Sequence, residues 1–417
     1  MLHLDKSNIT DYLKKTMPGM DFSKPLSIHE IGEGTREEDG DGFLNFIFLV
    51  SDGRNKVVLK QGQEHGRVGH AQTFDLPADR NRLEYDSLKI RKAIVPELVP
   101  GIFFYDAKNC IMAMEDVSHL KIMRFQLNKN VIYPKFPYQV AEYMAKTHFY
   151  TSEFYLDTKV FRELTKHFMN HKMRSVFDTD AFITEDLAKG KNFGIPVNSE
   201  YMPFVKKIIL DPKVIKERMR MRQLYVSRGE TFVHADLHTS NVLLDQSEMK
   251  VIDMEYTFCG PLAYDMGYLL VNFVSQFICA VFREFKSEGE RKTFREYCLD
   301  TICKCVNEYC RIFKECWEKD AKSLYRNVDG LLDDIIGEYL QDMIGFAATN
   351  TFSRSAGPFM LPEIAEVADE GDRAKVVILS MIFARTSILK RRQYRTVEDW
   401  VDELSQVDEL FHLYNGV

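Results

Sequence analysis

The chain has 417 residues, 45% hydrophobic and 28% charged, with a formal net charge of -7. Thirty Phe and 19 Tyr exclude long disorder, since they supply ample apolar surface to bury. No concentrated basic stripe appears, which argues against a nucleic-acid partner.

The N-terminus, Met1-Leu2-His3-Leu4-Asp5-Lys6, lacks the apolar core of a signal peptide. A cytoplasmic protein is therefore expected. Residues 43–50 form a dense apolar run of high strand propensity. Ser51-Asp52-Gly53 then signals a turn, and residues 56–60 read as the second strand of a hairpin. Residues 80–94 read as a helix. Two more strands are expected at 97–105 and 110–114, joined by Asp106-Ala107-Lys108-Asn109. A strand-rich N-terminal domain with one helix thus covers residues 1–114.

The remainder, 115–417, is mainly helical. Helices are expected at 134–155, 157–173 and 205–227. A strand island follows at 231–234, 242–244 and 250–252, and helices resume at 262. Residues 268–282 are the most apolar stretch, but Asn272, Ser275 and Gln276 interrupt it. It is too short to span a bilayer, so it reads as a buried helix and no membrane partner is expected. Lys189 to Gly194 reads as a loop and does not meet the Walker A pattern. Cys303, Cys305, Cys310 and Cys316 lie in a helical pattern without a C-x2-C knuckle, which favours structural buried thiols over zinc. Lys390-Arg391-Arg392 reads as a solvated helix end. Strands first, then helices around a strand island, predict an α+β protein of two lobes.

The island carries the chemistry. It reads His234-Ala235-Asp236-Leu237-His238-Thr239-Ser240-Asn241, with Asp253 seventeen residues beyond Asp236. Kinase catalytic loops use an Asp, an Asn five positions later, and a metal-binding Asp past a short hairpin. Phosphoryl transfer needs a carboxylate to orient and deprotonate the acceptor hydroxyl. It also needs oxygen ligands for the magnesium that neutralises the phosphates. Asp236 is the candidate base, and Asn241 and Asp253 are candidate ligands. His234 is expected to order the loop. His238 is read as either a loop-packing residue or a polar contact to the substrate.

The first domain supplies matching parts. Gly40-Asp41-Gly42 precedes the first strand, where glycines let backbone N–H groups approach ATP phosphates. Lys60 ends the next strand, the place of a phosphate-pairing lysine, and Glu84 on the following helix is its candidate partner. Arg80 and Arg82 are expected to be solvated, with Arg80 also able to order its segment. Met114-Glu115-Asp116 sits between the domains, where backbone groups would read adenine.

These residues resemble the aminoglycoside phosphotransferase and choline kinase superfamily, and within it the methylthioribose kinases. The likeness runs from Asp5 to about Leu404. It covers Gly40 to Asn45, Val58-Leu59-Lys60-Gln61, Met114 to Ser118, His234 to Thr239 and Asp253-Met254-Glu255-Tyr256 through Asp265. The Asp-x-Glu stands where protein kinases have Asp-Phe-Gly. By that resemblance, Asn45 and Lys60 contact ATP phosphates and residues 114–116 the adenine. Asp253 and Glu255 hold magnesium, with Asn241 a further ligand. Asp236 accepts the proton of the anomeric hydroxyl of 5-methylthioribose, in methionine salvage, and a homodimer is implied.

Several positions depart from the family. Residues 33–39 are acidic, Phe43 replaces a polar residue, and Asn241 stands where Ser is usual. Gly345-Phe346 follows Met343-Ile344 where the family has two arginines, and Arg354 is the candidate replacement in the substrate site. The alternatives are a kinase of another sugar, an amino alcohol or an aminoglycoside, and a nucleotide-binding scaffold without activity. The scaffold predicts loss of Lys60, Asp236, Asn241 or Asp253, and all four are present.

Overall fold

In a computed structural model, the structure describes residues 1–40, 44–64, 76–180, 201–356 and 360–408. The expected loop at 189–194 and the residues Asp41, Gly42 and Phe43 lie outside that set. The strands in chain order are β1 (Ser27–Glu30), β2 (Phe46–Ser51), β3 (Lys56–Gln61), β4 (Ile102–Asp106), β5 (Ile111–Met114), β6 (Lys121–Ile122), β7 (Thr231–Val233), β8 (Val242–Leu244), β9 (Met249–Val251) and β10 (Phe258–Gly260). The chain divides into two compact units. One comprises residues 1–126 with 170–173 and 239–257, and the other holds the rest. The expected division at Met114 falls inside the first unit, which also takes back the loop and hairpin after His238.

The first unit is built on an antiparallel sheet of order β1-β2-β3-β5-β4. Side chains alternate across a strand with period two. Phe48 and Val50, Val57 and Leu59, and Ile111 and Ala113 therefore share one face, where they pack with Ile9, Tyr12 and Leu13 of an N-terminal helix, Ile9–Thr16. That helix was not foreseen. Lys60, one step beyond Leu59, points to the opposite face, which carries the helix Arg80–Ile94 and its Glu84. The strand expected at 97–105 begins only at Ile102. Pro100 cannot donate to a ladder, and the Gly101 amide instead bonds the Glu115 carboxylate at 2.7 Å. A second sheet, β6-β8-β9, presents the residues after Asn241 in this unit.

The second unit is a helical assembly. The helix Tyr264–Cys279 is buried at every residue, which accounts for its apolar sequence. It packs closely on Leu331–Ala356: a Cβ at Gly267 would lie 2.7 Å from the Met343 carbonyl oxygen and 2.8 Å from Phe346 Cβ. The expected helix 205–227 is two helices, Met202–Ile209 and Pro212–Ser227. Pro212 opens the second, where its missing N–H costs nothing, and Asp211 caps it. The expected helix 157–173 ends at His167, and Asn170 adopts φ +43. β7 pairs with β10, a strand the sequence reading passed over.

All eight cysteines are free. On the helix Glu288–Asp320, Cys305 and Cys316 are buried, and Cys303 and Cys310 are half-buried. The reading of Lys390-Arg391-Arg392 as a solvated end needs correction. Arg391 is buried, donating to Asp342 at 3.0 Å and to Glu217 at 3.4 Å, so two carboxylates draw it inward. Among the described residues, no helix is long and apolar enough to cross a membrane.

Candidate active site

In the first unit, the sheet and the helix Arg80–Ile94 assemble a buried charge cluster. Lys60 Nζ lies 2.8 Å from Glu84 Oε1 and 2.7 Å from Oε2, and it also bonds Asp253. Glu255 Oε2 accepts from Arg80 Nε at 3.0 Å and from Asn45 Nδ2 at 2.9 Å. Arg80 also donates to Asn45 Oδ1 and to the Leu44 carbonyl, each at 2.8 Å. The expectation that Arg80 is solvated is therefore overturned: it is 1% exposed. A buried carboxylate needs a cation with several fixed donors, and a guanidinium supplies them. Arg82 is half-buried near Asp79 and Asp86. Asn170, which the sequence reading missed, donates to the carbonyls of Glu255 and Thr257 at 2.9 and 3.0 Å.

The electrostatics follow from crowding. Burial opposes the Lys60 cation, but Asp253, Glu84 and Glu255 outweigh it and hold its pKa above the ordinary lysine range. Burial pushes Glu84 up to about 7, with Asp253 and Glu255 adding to the effect against Lys60. Glu255 is raised by burial first and by Asp253 second. Lys60 and Arg80 face three carboxylates, so oxygen donors outnumber the cations. Ligand oxygens of Glu84, Asp253 and Glu255 all lie within 4.8 Å of one another. Such a surplus of hard oxygen donors suits a magnesium ion. Asp253 adopts φ +66, a conformation that costs a non-glycine residue energy and that clusters at functional sites.

The remaining predicted residues of this unit make local contacts. Gly40 has φ +75, and a Cβ there would lie 3.1 Å from Ile122 Cδ1. Just before it, Asp39 accepts the amides of Gly32 and Gly34 at 2.6 and 2.7 Å and pairs with His29, so the acidic stretch forms an anchored turn. The Glu115 amide donates to the Gly101 carbonyl at 2.9 Å, and Asp116 accepts from the Ser118 amide at 2.8 Å. Asn241 is buried, and its carbonyl accepts from Ile252 at 3.0 Å.

In the second unit, a separate polar chain surrounds Asp236. Asp265, in the first turn of the helix Tyr264–Cys279, accepts the His234 amide at 2.6 Å and the Ala235 amide at 2.9 Å. His148 lies 3.3 Å from the same carboxylate. These bonds hold Ala235 at φ +70. His234 is fully buried, and its Nδ1 accepts the Asp236 amide at 3.3 Å. Asp236 Oδ1 accepts from the Tyr268 hydroxyl at 2.9 Å, and His238 Nε2 lies 3.5 Å from Oδ2. Arg354 donates to the Tyr268 hydroxyl and lies 5.1 Å from the centre of its ring. Burial works to raise the Asp236 pKa, but His238, Arg354 and His234 more than offset it and keep the carboxylate below its ordinary range. Asp236, His238 and Arg354 are thus brought together. Tyr268 and Asp265 were missed, although Tyr264-Asp265-x-x-Tyr268 puts both tyrosines on one helical face.

Gly345 and Phe346 serve packing. A Cβ at Gly345 would lie 2.5 Å from Met221 Sδ and 3.1 Å from Arg391 Cδ, and the Phe346 ring meets Tyr264 edge-on at 5.2 Å.

Residues 210–297 match the phosphotransferase enzyme family. That segment contains Asp236, Asn241, Asp253, Glu255, Asp265 and Tyr268. A methylthioribose kinase of Bacillus velezensis is 28% identical over 371 residues, 88% of this chain and 90% of that one. Another, of Geobacillus kaustophilus, is 27% identical over 382 residues, 90% of each chain. The chain is a hydroxyl-directed kinase and a homologue of the methylthioribose kinases. Among solved structures, a glucosamine kinase in complex with glucosamine, ADP and inorganic phosphate matches this kinase with a TM-score of 0.51. It covers 91% of this chain and 86% of that one at 11% identity, a likeness of fold. The α+β fold expected from the order of strands and helices, and its kinase-like form expected from the motifs and the resemblance, are the ones found.

Proposed function

We propose that this kinase transfers the γ-phosphoryl group of ATP to the anomeric hydroxyl of 5-methylthioribose, giving 5-methylthioribose 1-phosphate in methionine salvage. The observation that carries the reading is the Lys60–Glu84–Asp253 cluster, in a chain whose methylthioribose kinase relatives match nine-tenths of its length. Lys60, oriented by Glu84, pairs the phosphates together with Asn45 and the backbone of Gly40, Asp41 and Gly42. Met114, Glu115 and Asp116 read the adenine. Asp253 and Glu255, with Asn241, would hold magnesium, which when bound neutralises the charge on the phosphates.

Asp236 takes the acceptor proton. The electrons of that O–H bond stay on the acceptor oxygen, which attacks the γ-phosphorus. The bond from that phosphorus to the β–γ bridging oxygen breaks, and ADP leaves. His238 and Arg354 contact the acceptor. A cytoplasmic homodimer without nucleic-acid or membrane partners completes the reading, and light scattering reads the oligomeric state directly.

Gly345 and Phe346 favour a second reading of the acceptor. Both are committed to the core, so neither offers the fork that an arginine pair gives to charged oxygens. The test is ADP release with magnesium-ATP over 5-methylthioribose, ribose, choline, homoserine and kanamycin. The reading predicts turnover with 5-methylthioribose alone. Turnover with another acceptor and none with methylthioribose would replace the substrate and keep the kinase.

A further inference from the structure

We propose that Tyr268 is a positioning residue for phosphoryl transfer: its hydroxyl, held by Arg354, fixes the carboxylate of Asp236. The inference rests on Asp236 being the base. A carboxylate on a short side chain rotates broadly about its last torsion, so a general base needs something to set its plane. Here the setting group is the Tyr268 hydroxyl, 2.9 Å from Oδ1.

The direction of the chain follows from the donors available. Arginine only donates, and a phenol carries one hydrogen. Arg354 donates to the Tyr268 oxygen, so the tyrosine hydrogen goes to Asp236. Oδ1 thereby accepts the phenol hydrogen, while His238 faces Oδ2 at 3.5 Å, so both oxygens are held in place. The hydroxyl stays protonated at any working pH: burial first, and Asp236 as well, push its pKa far above the ordinary tyrosine range despite Arg354.

The platform is rigid. Tyr268 is 1% exposed, stacks on Tyr264 with ring centres 5.8 Å apart, and belongs to a helix buried throughout. The same helix carries Asp265, which holds the backbone of His234 and Ala235. One element thus sets both the loop and the carboxylate at its tip.

The test is a double-mutant cycle of Tyr268→Phe and Asp236→Asn, each checked by thermal melting. It uses whichever acceptor of the panel the wild type phosphorylates, or water through intrinsic ATP hydrolysis if none reacts. That choice separates failure of the substrate assignment from failure of this inference. Tyr268→Phe should lower kcat about 10-fold or more with an unchanged KM for ATP, and it should cost nothing further in the Asp236→Asn background. Wild-type kcat in Tyr268→Phe, or an equal fold-loss in both backgrounds, overturns the proposal. Should Tyr268→Phe fail to fold, Tyr268→Met also removes the hydroxyl while keeping an apolar side chain in the buried helix. It is then held to the same two outcomes.

Discussion

Asp253 illustrates how a single residue combines strain, charge and position. Its backbone is left-handed, its carboxylate meets Lys60, and Glu84 and Glu255 crowd it from the same cluster. Asparagine adopts the left-handed region readily, so Asp253→Asn removes the charge while leaving the backbone able to stay as it is. That variant should lower turnover and raise the magnesium concentration for half-maximal rate by about 10-fold or more, at least what outer-shell partners of a metal are worth. Initial rates against magnesium concentration check this, and an unchanged magnesium dependence would remove Asp253 from the proposed ligands. Lys60 and Glu84, found paired, were legible in the sequence from their order on strand and helix. Arg80, Tyr268 and Asp265 were not. A charged or aromatic residue on a helix reveals its partner only when distant segments meet, and Arg80 finds Glu255 at 175 residues' separation.

At the scale of elements, the helix Tyr264–Cys279 links the core of the second unit to the loop that carries Asp236. Its sequence announced a buried helix, although not the two polar residues that bond His234, Ala235 and Asp236. Its contact with Leu331–Ala356 depends on Gly267, where an added Cβ would meet backbone atoms that cannot rotate away. Gly267→Ala should destabilise the fold by about 1–3 kcal/mol, the usual cost of overpacking a close-packed contact. Chemical denaturation measures it, and a variant as stable as wild type would show that the two helices can separate slightly. Gly345 is tight too, against the Met221 thioether and the stem of Arg391 rather than backbone. The expected element boundaries failed where local chemistry intervened, at Pro100, Asn170 and Asp211-Pro212. Each stops or splits an apolar pattern that periodicity alone would continue.

For the whole molecule, the order of strands, helices and strand island indicated an α+β chain, and the motif spacing with the family resemblance made it kinase-like. The cut at Met114 was harder to place, because the chain returns residues 239–257 to the first unit. The consequence falls on the proposed catalytic loop. Asp236 belongs to one compact unit, while Lys60, Asp253 and Glu255 belong to the other. Loss of the Asp236 charge should therefore stop transfer without disturbing the groups proposed to hold the nucleotide. The most direct measurement compares wild type and Asp236→Asn for phosphate transfer from ATP to 5-methylthioribose, with ATP affinity measured alongside. The account predicts turnover by wild type, a loss of about 10²-fold or more in the variant, and ATP affinity retained. Near-normal turnover by Asp236→Asn would contradict it.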